Sequence, residues 1–354
     1  MPINIYQTKT MLAAVKQMDP ATSFLRDRYF PTGAGDLFPT DEVLVEFKDA
    51  TGHKMAPVVL PRKGSVSVER DGYSTEKMTP ALIAPSRPLT IDDLNKKGFG
   101  ENLFSDRTPA ERQAEILVQD LADFDQMITT REEFIAAQCI FNNGYVLKQY
   151  ADKYGNEGKE YELRFYGADG NSAVYAPSTL WGAEGADILG DLYQMIRMLT
   201  TKGNNASEVL LGSDVADALL KNATIQKLMD LSRYTVGDIA PAELPQGAAR
   251  LGSLNIRGRK IDLLTYDGTY INEEGTVEAF VPAKKIAVTA PGAGRGLYGA
   301  VTQMEQTDGQ WHSYMGRRVP RYWAEKDGRE LTVSARPLFV PKTKDCFITA
   351  QVLG

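Results

Sequence analysis

The stretch Gly294-Arg295-Gly296-Leu297-Tyr298-Gly299 carries glycines at the spacing used to hold dinucleotides, and it follows a strand-like run, KKIAVTA. The chemistry would be a phosphate cradle, in which a bare backbone closes on a pyrophosphate whose charge rests on a helix N-terminus. The helix is missing, because AVTQMEQTDGQWHSYMG has weak helical character and ends in turn residues, so the glycines read as permitting tight turns. Acid–base or metal chemistry has only His53 and His312 to draw on. His53 sits in the turn-like TGHK and His312 follows Trp311 in a strand-like piece, which suits surface or packing roles. Asp92 and Asp93 follow Thr90 at what reads as a short helix start, where acids favour the helix dipole. Asp187 and Asp191, at helical spacing, read as a solvated face. Cys139 lies on an apolar helical stripe and Cys346 in a strand pattern, so both are expected as buried free thiols. Walker-type, HExxH and GxSxG motifs are absent, and no residue qualifies as catalytic, cofactor-binding or metal-ligating.

The elements are more informative than the candidate sites. From Thr108 to Phe141 nothing after Pro109 would stop a helix. Thr108 with Glu111 forms a capping box, Pro109 suits the first helical position, and Gly144 is expected to close the far end in the left-handed conformation. Leu117, Leu121, Phe124, Ile128, Ile135 and Cys139 form one apolar stripe. Glu115, Gln119, Asp123, Asp125, Gln126, Glu132 and Glu133 are assigned to the opposite face. At 1.5 Å per residue such a helix is roughly 50 Å long, beyond the edge of a compact domain. Arg131 interrupts the stripe and the pattern stops at Gly144, so the helix reads as a strut and not as a coiled coil.

Around the strut lie pieces that cannot stabilise themselves. Residues 1–40 are an extended arm broken by Pro2, Pro20, Pro31 and Pro39. EVLVEF alternates like a strand, and Ala56 to Pro85 reads as a charged ribbon with Pro61 in its first strand, which excludes a central ladder. An isolated ribbon is marginal in water, so its partner is expected elsewhere. YVLKQY and KEYELRFY form a hairpin after the helix. A second lobe is expected from about Pro177, with a helix over residues 183–201, the strand EVLLGS, helical pieces around Asp214–Leu220 and Ile225–Leu231, and a β-rich stretch to Ala290. The class is α+β without internal repeats. Length also favours two lobes, since 354 residues exceed the usual single core. Net charge −6 argues against dedicated sequence-reading of DNA, and no run of 18 apolar residues marks a membrane span or signal, so synthesis in the cytosol is expected.

The order arm, ribbon, long helix, hairpin, mixed lobe, strand-rich return resembles the major capsid proteins of lambda-type tailed bacteriophages, which share the Hong Kong 97-type fold. The resemblance rests on FLRDRYFPT (24–32), TDEVLVEFKDATGHKMAPVVLPRKG (40–64), GYSTEKMTPALIAP (72–85), TPAERQAEILVQDL with TTREEFIAAQCIFNNG, and the closing segment from Arg317 to Leu353. It implies a division into an arm with first strand (1–50), an extended loop (51–87), a peripheral domain with spine helix 108–141 (88–176), an axial domain (177–310) and return strands (311–354). It implies a shell subunit that forms hexamers and pentamers of an icosahedral head around double-stranded DNA, without catalysis or cofactor. Contacts with neighbouring subunits are expected from Arg62, Lys63, Glu69, Arg70, Asp71 and Lys77 of the loop and from Arg26, Arg28 and Tyr29 of the arm. Because FLRDRYF begins at Phe24, the resemblance implies a separate scaffolding protein and no fused scaffold. A portal protein, non-specific contact with packaged DNA and, as an option left open, a decoration protein complete the implied partners; a membrane does not. Covalent cross-linking through Lys54, Lys63 or Lys77 is not expected. The competing readings are an encapsulin-like nanocompartment shell of the same fold and, more remotely, a nucleotide-binding enzyme using Gly294–Gly299.

Overall fold

The computed structural model describes residues 8–17, 23–40, 42–48, 73–95, 108–150, 157–166, 171–183, 185–222, 225, 237–238, 242–325 and 328–354. The spine helix runs from Pro109 to Asn142. Its start is the expected capping box: Thr108 Oγ1 accepts the Glu111 N–H at 3.3 Å, and the Glu111 carboxylate accepts the Thr108 N–H at 2.8 Å. Its stop differs from expectation. Asn143 takes the left-handed conformation (φ 52°, ψ 40°), and Gly144 already opens the strand Gly144–Tyr150. Glycine is required at 144 by close approach, since a Cβ there would fall 2.4 Å from the Leu163 carbonyl oxygen on the paired strand Glu157–Arg164.

The apolar stripe packs as its spacing predicts. Leu117, Leu121, Phe124 and Ile128 meet Tyr322, Leu331, Val333 and Ala335 of the return strands Val319–Glu325 and Gly328–Ser334, with Ala335 just beyond. Ile135 and Cys139 join a larger core with Tyr145, Leu147 and Leu163 of the hairpin and with Leu338, Phe339 and Val340. Cys139 and Cys346 are both buried free thiols. The acidic face is corrected at two positions: Glu132 is 0% and Glu133 2% exposed, whereas Asp123 remains open to solvent. Beyond Ile128 the helix is enclosed nearly all round, and Ile135, Ala136, Ala137, Cys139, Ile140 and Phe141 are all buried.

The second lobe is built on an eight-stranded sheet ordered Ala242–Glu243, Ala248–Ile256, Arg259–Tyr266, Glu208–Leu211, Lys285–Thr289, Ile348–Gln351, Val174–Tyr175, with Gly237–Asp238 beside Ala248–Ile256. Period-two alternation sorts its side chains. Val209, Leu211, Leu263, Ile286 and Val288 share a core with the helices Ile188–Thr201 and Ser213–Lys221. Leu210, Leu264 and Ala287 point the other way, into the spine core. Both faces are covered, so the strands read as continuous apolar runs. Of the two acids read as a solvated face, Asp187 is exposed and caps the helix Ile188–Thr201 by accepting the Gly190 N–H at 2.9 Å. Asp191 is buried and accepts from Tyr175 Oη (2.6 Å) and Trp181 Nε1 (2.9 Å).

The chain leaves this sheet after Thr289, and its next strand, Gly294–Gly299, pairs with the arm at Tyr298 and Gly299. Its last strand, Ile348–Gln351, re-enters the sheet between Lys285–Thr289 and Val174–Tyr175. Asp92 and Asp93 lie in the short helix Ile91–Asn95, where the Asp93 carboxylate accepts the Thr90 N–H at 3.1 Å. No helix among the described residues is long and apolar enough to cross a membrane.

Candidate assembly site at the arm and spine

FLRDRYF folds as a short arm helix, Phe24–Tyr29, whose apolar residues Phe24, Leu25 and Tyr29, followed by Phe30, are all buried. Ser23 makes no side-chain cap. The free N–H groups of this helix are taken instead by the spine: the Glu133 carboxylate accepts from the Leu25 N–H at 2.7 Å and the Arg26 N–H at 2.9 Å. Arg26 then reaches the neighbouring Glu132 at 2.7 Å. On its other side Glu132 accepts from Arg318 at 2.7 and 3.1 Å, and Arg318 also binds Asp125 (2.7 Å) and Thr129 Oγ1 (2.9 Å). A buried carboxylate flanked by two guanidinium groups is compensated on both sides.

The two adjacent glutamates are tuned in opposite directions. Burial works against the ionised form of Glu132, but Arg318 and Arg26 outweigh it and hold the carboxyl below its ordinary value. At Glu133 burial wins over the backbone N–H bonds and the carboxyl is pushed up. At the far end of the arm helix Arg28 pairs with Glu208, the first residue of the central lobe strand, by a bond of 2.9 Å from Nε and a second from Nη2. Tyr29 Oη donates to the same carboxylate at 3.0 Å, and burial keeps that phenol protonated. Phe24 lies against Tyr266 of the lobe sheet, with ring centroids 5.2 Å apart. Six residues therefore tie the spine helix to the second lobe.

The glycine-rich stretch is part of the same docking. Gly294–Gly299 is a strand between Leu37–Phe38, parallel to it, and Pro337–Pro341, antiparallel. A Cβ at Gly294 would lie 2.2 Å from the Phe30 ring, and one at Gly296 would lie 2.7 Å from Thr32 Oγ1 and 2.9 Å from the Phe30 carbonyl oxygen. The next element is another strand, Val301–Met304. The glycines admit the arm and do not form the tight turns read from the sequence.

The nine residues expected to reach neighbouring subunits fall into three groups. Arg26 and Tyr29 are 3% and 0% exposed, and with Arg28 they spend their polar groups inside their own chain. Their apolar neighbours fold the motif into the core and carry the cations with them. Lys77, on the strand Tyr73–Met78, is exposed and pairs with Glu42 across the base of the ribbon, opposite Leu44, itself 67% exposed. Arg62, Lys63, Glu69, Arg70 and Asp71 lie outside the described residues, as does His53. The partners that sequence reasoning missed are Glu132, Glu133, Glu208 and Arg318. For Glu132 the signal was available: four residues after Ile128 and three before Ile135, it falls on the apolar stripe itself.

Among curated proteins none matches the chain. Solved structures do. A protein of E. coli CFT073 assigned as a prophage capsid protein superposes with a TM-score of 0.64 at 15% identity, covering 98% of this chain and 99% of that one. The SrpI encapsulin of Synechococcus elongatus PCC 7942 gives 0.45 at 12% identity, covering 97% and 95%. The mature capsid of bacteriophage PhiM1 gives 0.45 at 13%, covering 95% and 88%. Of these three the first alone is near enough to speak for the fold, which is the Hong Kong 97-type capsid fold. The model of one family, phage major capsid protein E, matches residues 7–352, nearly the whole length. On that match the chain belongs to the phage major capsid protein E family.

Proposed function

We propose that this chain, as the major capsid protein of a phage head, assembles into hexamers and pentamers around double-stranded DNA. The observation that carries the reading is the family match over residues 7–352, which leaves almost none of the chain for another task. In this reading residues 51–87 overlap a neighbouring subunit, residues 88–176 form the peripheral domain and residues 177–310 surround the symmetry axes. The shell forms in the host cytoplasm on a separate scaffolding protein, is filled through a portal and touches DNA without sequence preference; a decoration protein is an optional reinforcement. The subunit's role is mechanical, and its chemistry is that of surfaces meeting surfaces. Lys77 and the loop residues Arg62, Lys63, Glu69, Arg70 and Asp71 remain the proposed contacts, while Arg26, Arg28 and Tyr29 support the neighbour contact by fixing the root of the arm.

The test is assembly itself. Expressed with a scaffold, the chain should sediment as closed particles visible in electron micrographs; a chain that stayed monomeric under those conditions would end the proposal. Deleting residues 62–77 sharpens it. The shortened chain should remain folded by circular dichroism yet form no shells, whereas unfolding would place the loop in the subunit core.

A further inference from the structure

We propose that successive copies of this chain meet head to tail through one charge-matched contact: the basic turn Arg257–Lys260 of one copy against the acidic hairpin carrying Glu274 and Glu278 of the next. The proposal rests on the shell reading and adds which surfaces join.

The basic surface is the turn between the strands Ala248–Ile256 and Arg259–Tyr266. Its residues Arg257-Gly258-Arg259-Lys260 are all exposed. Arg257 and Gly258 have φ of 49° and 85°, the two-residue geometry that Asn-Gly or Gly-Gly satisfies most easily. A long side chain at the first of these positions is uncommon and calls for a reason beyond the turn. The Arg257 guanidinium lies 3.9 Å from the centroid of the Tyr193 ring, on the helix Ile188–Thr201, which fixes the cation on the helix-covered side of the sheet.

The acidic surface is the hairpin Thr269–Ile271 with Val277–Ala279. Its cross-strand pair Ile271 and Val277 is 71% and 64% exposed, an apolar patch in front of the acids. Glu274 and Glu278 are exposed, and Asn272 Nδ2 donates to Glu278 at 2.8 Å, which orients that carboxylate. Behind the hairpin a groove of about 780 Å³ runs along the spine helix, with Met127 and Val146 open to solvent in its wall.

Within one chain the two surfaces are kept apart. The basic turn opens the eight-residue strand Arg259–Tyr266 and the acidic hairpin follows its other end, roughly 25 Å away at the usual rise per residue. They also lie on opposite faces, since the turn leans on Tyr193 while Glu273 of the hairpin is held at 2.8 Å by Arg131 of the spine. Complementary patches on opposite sides of one molecule make a heterologous contact, the kind that closes into rings. Opposite charges set the register of such a contact, and the apolar pair supplies area to bury.

The experiment is a charge swap read by particle yield, with far-UV circular dichroism and thermal melting as controls on the fold. Arg259→Glu with Lys260→Glu should lower yield about tenfold or more without moving the melt, and Glu274→Lys with Glu278→Lys should do the same. The chain carrying all four changes should recover most of the yield. Arg257→Asn keeps the turn and relieves its backbone, so yield should drop while the melting temperature holds or rises. Unchanged yield in either reversed pair, or no recovery in the combined chain, overturns the contact. Loss from one patch with the other silent assigns that patch to a different partner and overturns it as well. A parent chain that forms no shells overturns the shell reading and the contact with it.

Discussion

From Pro109 to Ile128 the spine helix buries one stripe and leaves Val118 and Met127 63% and 54% exposed; from Thr129 onward it is wrapped by the arm helix, the hairpin and the second lobe, and even Glu132 is out of water. The two halves share a composition and a periodicity but not a solvent. In the outer half Asp123 meets Arg87 at the surface, and the better-covered Asp120 shares the same half-exposed guanidinium. In the inner half charge is tolerated because its partners are buried beside it, brought from the arm by Arg26 and from the return strands by Arg318. The inner half is where three distant parts of the chain are fastened, and the outer half is the strut that projects from the fastening.

Removing Glu132 should separate the halves most sharply. Glu132→Ala leaves Arg26 and Arg318 facing each other in the interior and should destabilise by about 3–5 kcal/mol in denaturant unfolding. Asp123→Ala, which removes an exposed partner of Arg87, should cost within about 1 kcal/mol. If the two variants unfolded alike, the contrast between the halves would be false. Next in size is a pair of apolar truncations. Ile140→Ala, at a side chain with no exposure, should cost toward the upper end of about 2–5 kcal/mol, and Leu117→Ala, at 7% exposure near the open end, toward the lower end.

How much of this was legible divides along the same line. The helix, its capping box, the hairpin, the lobe strands and the buried thiols follow from local pattern, because periodicity and caps are set by near neighbours in sequence. The stripe residues were right because a stripe needs only one apolar partner surface, whichever it is. What was not legible depended on elements far away in the chain. Glu133 looks like any surface glutamate until a helix more than a hundred residues earlier turns its bare N–H groups toward it. Gly294 and Gly296 read as turn glycines until Phe30 and Thr32 occupy the space their side chains would need. Arg26 and Arg28 are expected at a neighbour because the resemblance lays the arm along adjacent subunits; the sequence pattern alone does not show that Glu132 and Glu208, more than a hundred residues on, pair with them inside the chain.

The cap tests the outer half alone. Thr108→Ala removes the acceptor for the Glu111 N–H at an exposed helix end and should cost about 1 kcal/mol. The loss should appear as faster amide exchange confined to the first turns, with the inner half unaffected; exchange that quickened beyond Thr129 would mean the halves unfold as one unit.

The finest comparison sets the two adjacent glutamates against each other by pH. Glu132 is held below its ordinary value in the folded chain, so its stabilisation is present above the unfolded pKa and is lost as pH falls through the folded one. Glu133 is pushed above its ordinary value by burial, so its contribution is complete below the unfolded pKa and is lost as pH rises through the folded one. Unfolding free energies of Glu132→Gln and Glu133→Gln, each measured against the parent chain from acid to neutral pH, should therefore move apart with opposite slopes. The parent's advantage over Glu132→Gln should widen as pH rises, and its advantage over Glu133→Gln should narrow. Parallel slopes would mean that Arg26 serves both carboxylates equally, and the assignment of the guanidinium to Glu132 and the backbone N–H groups to Glu133 would then be wrong.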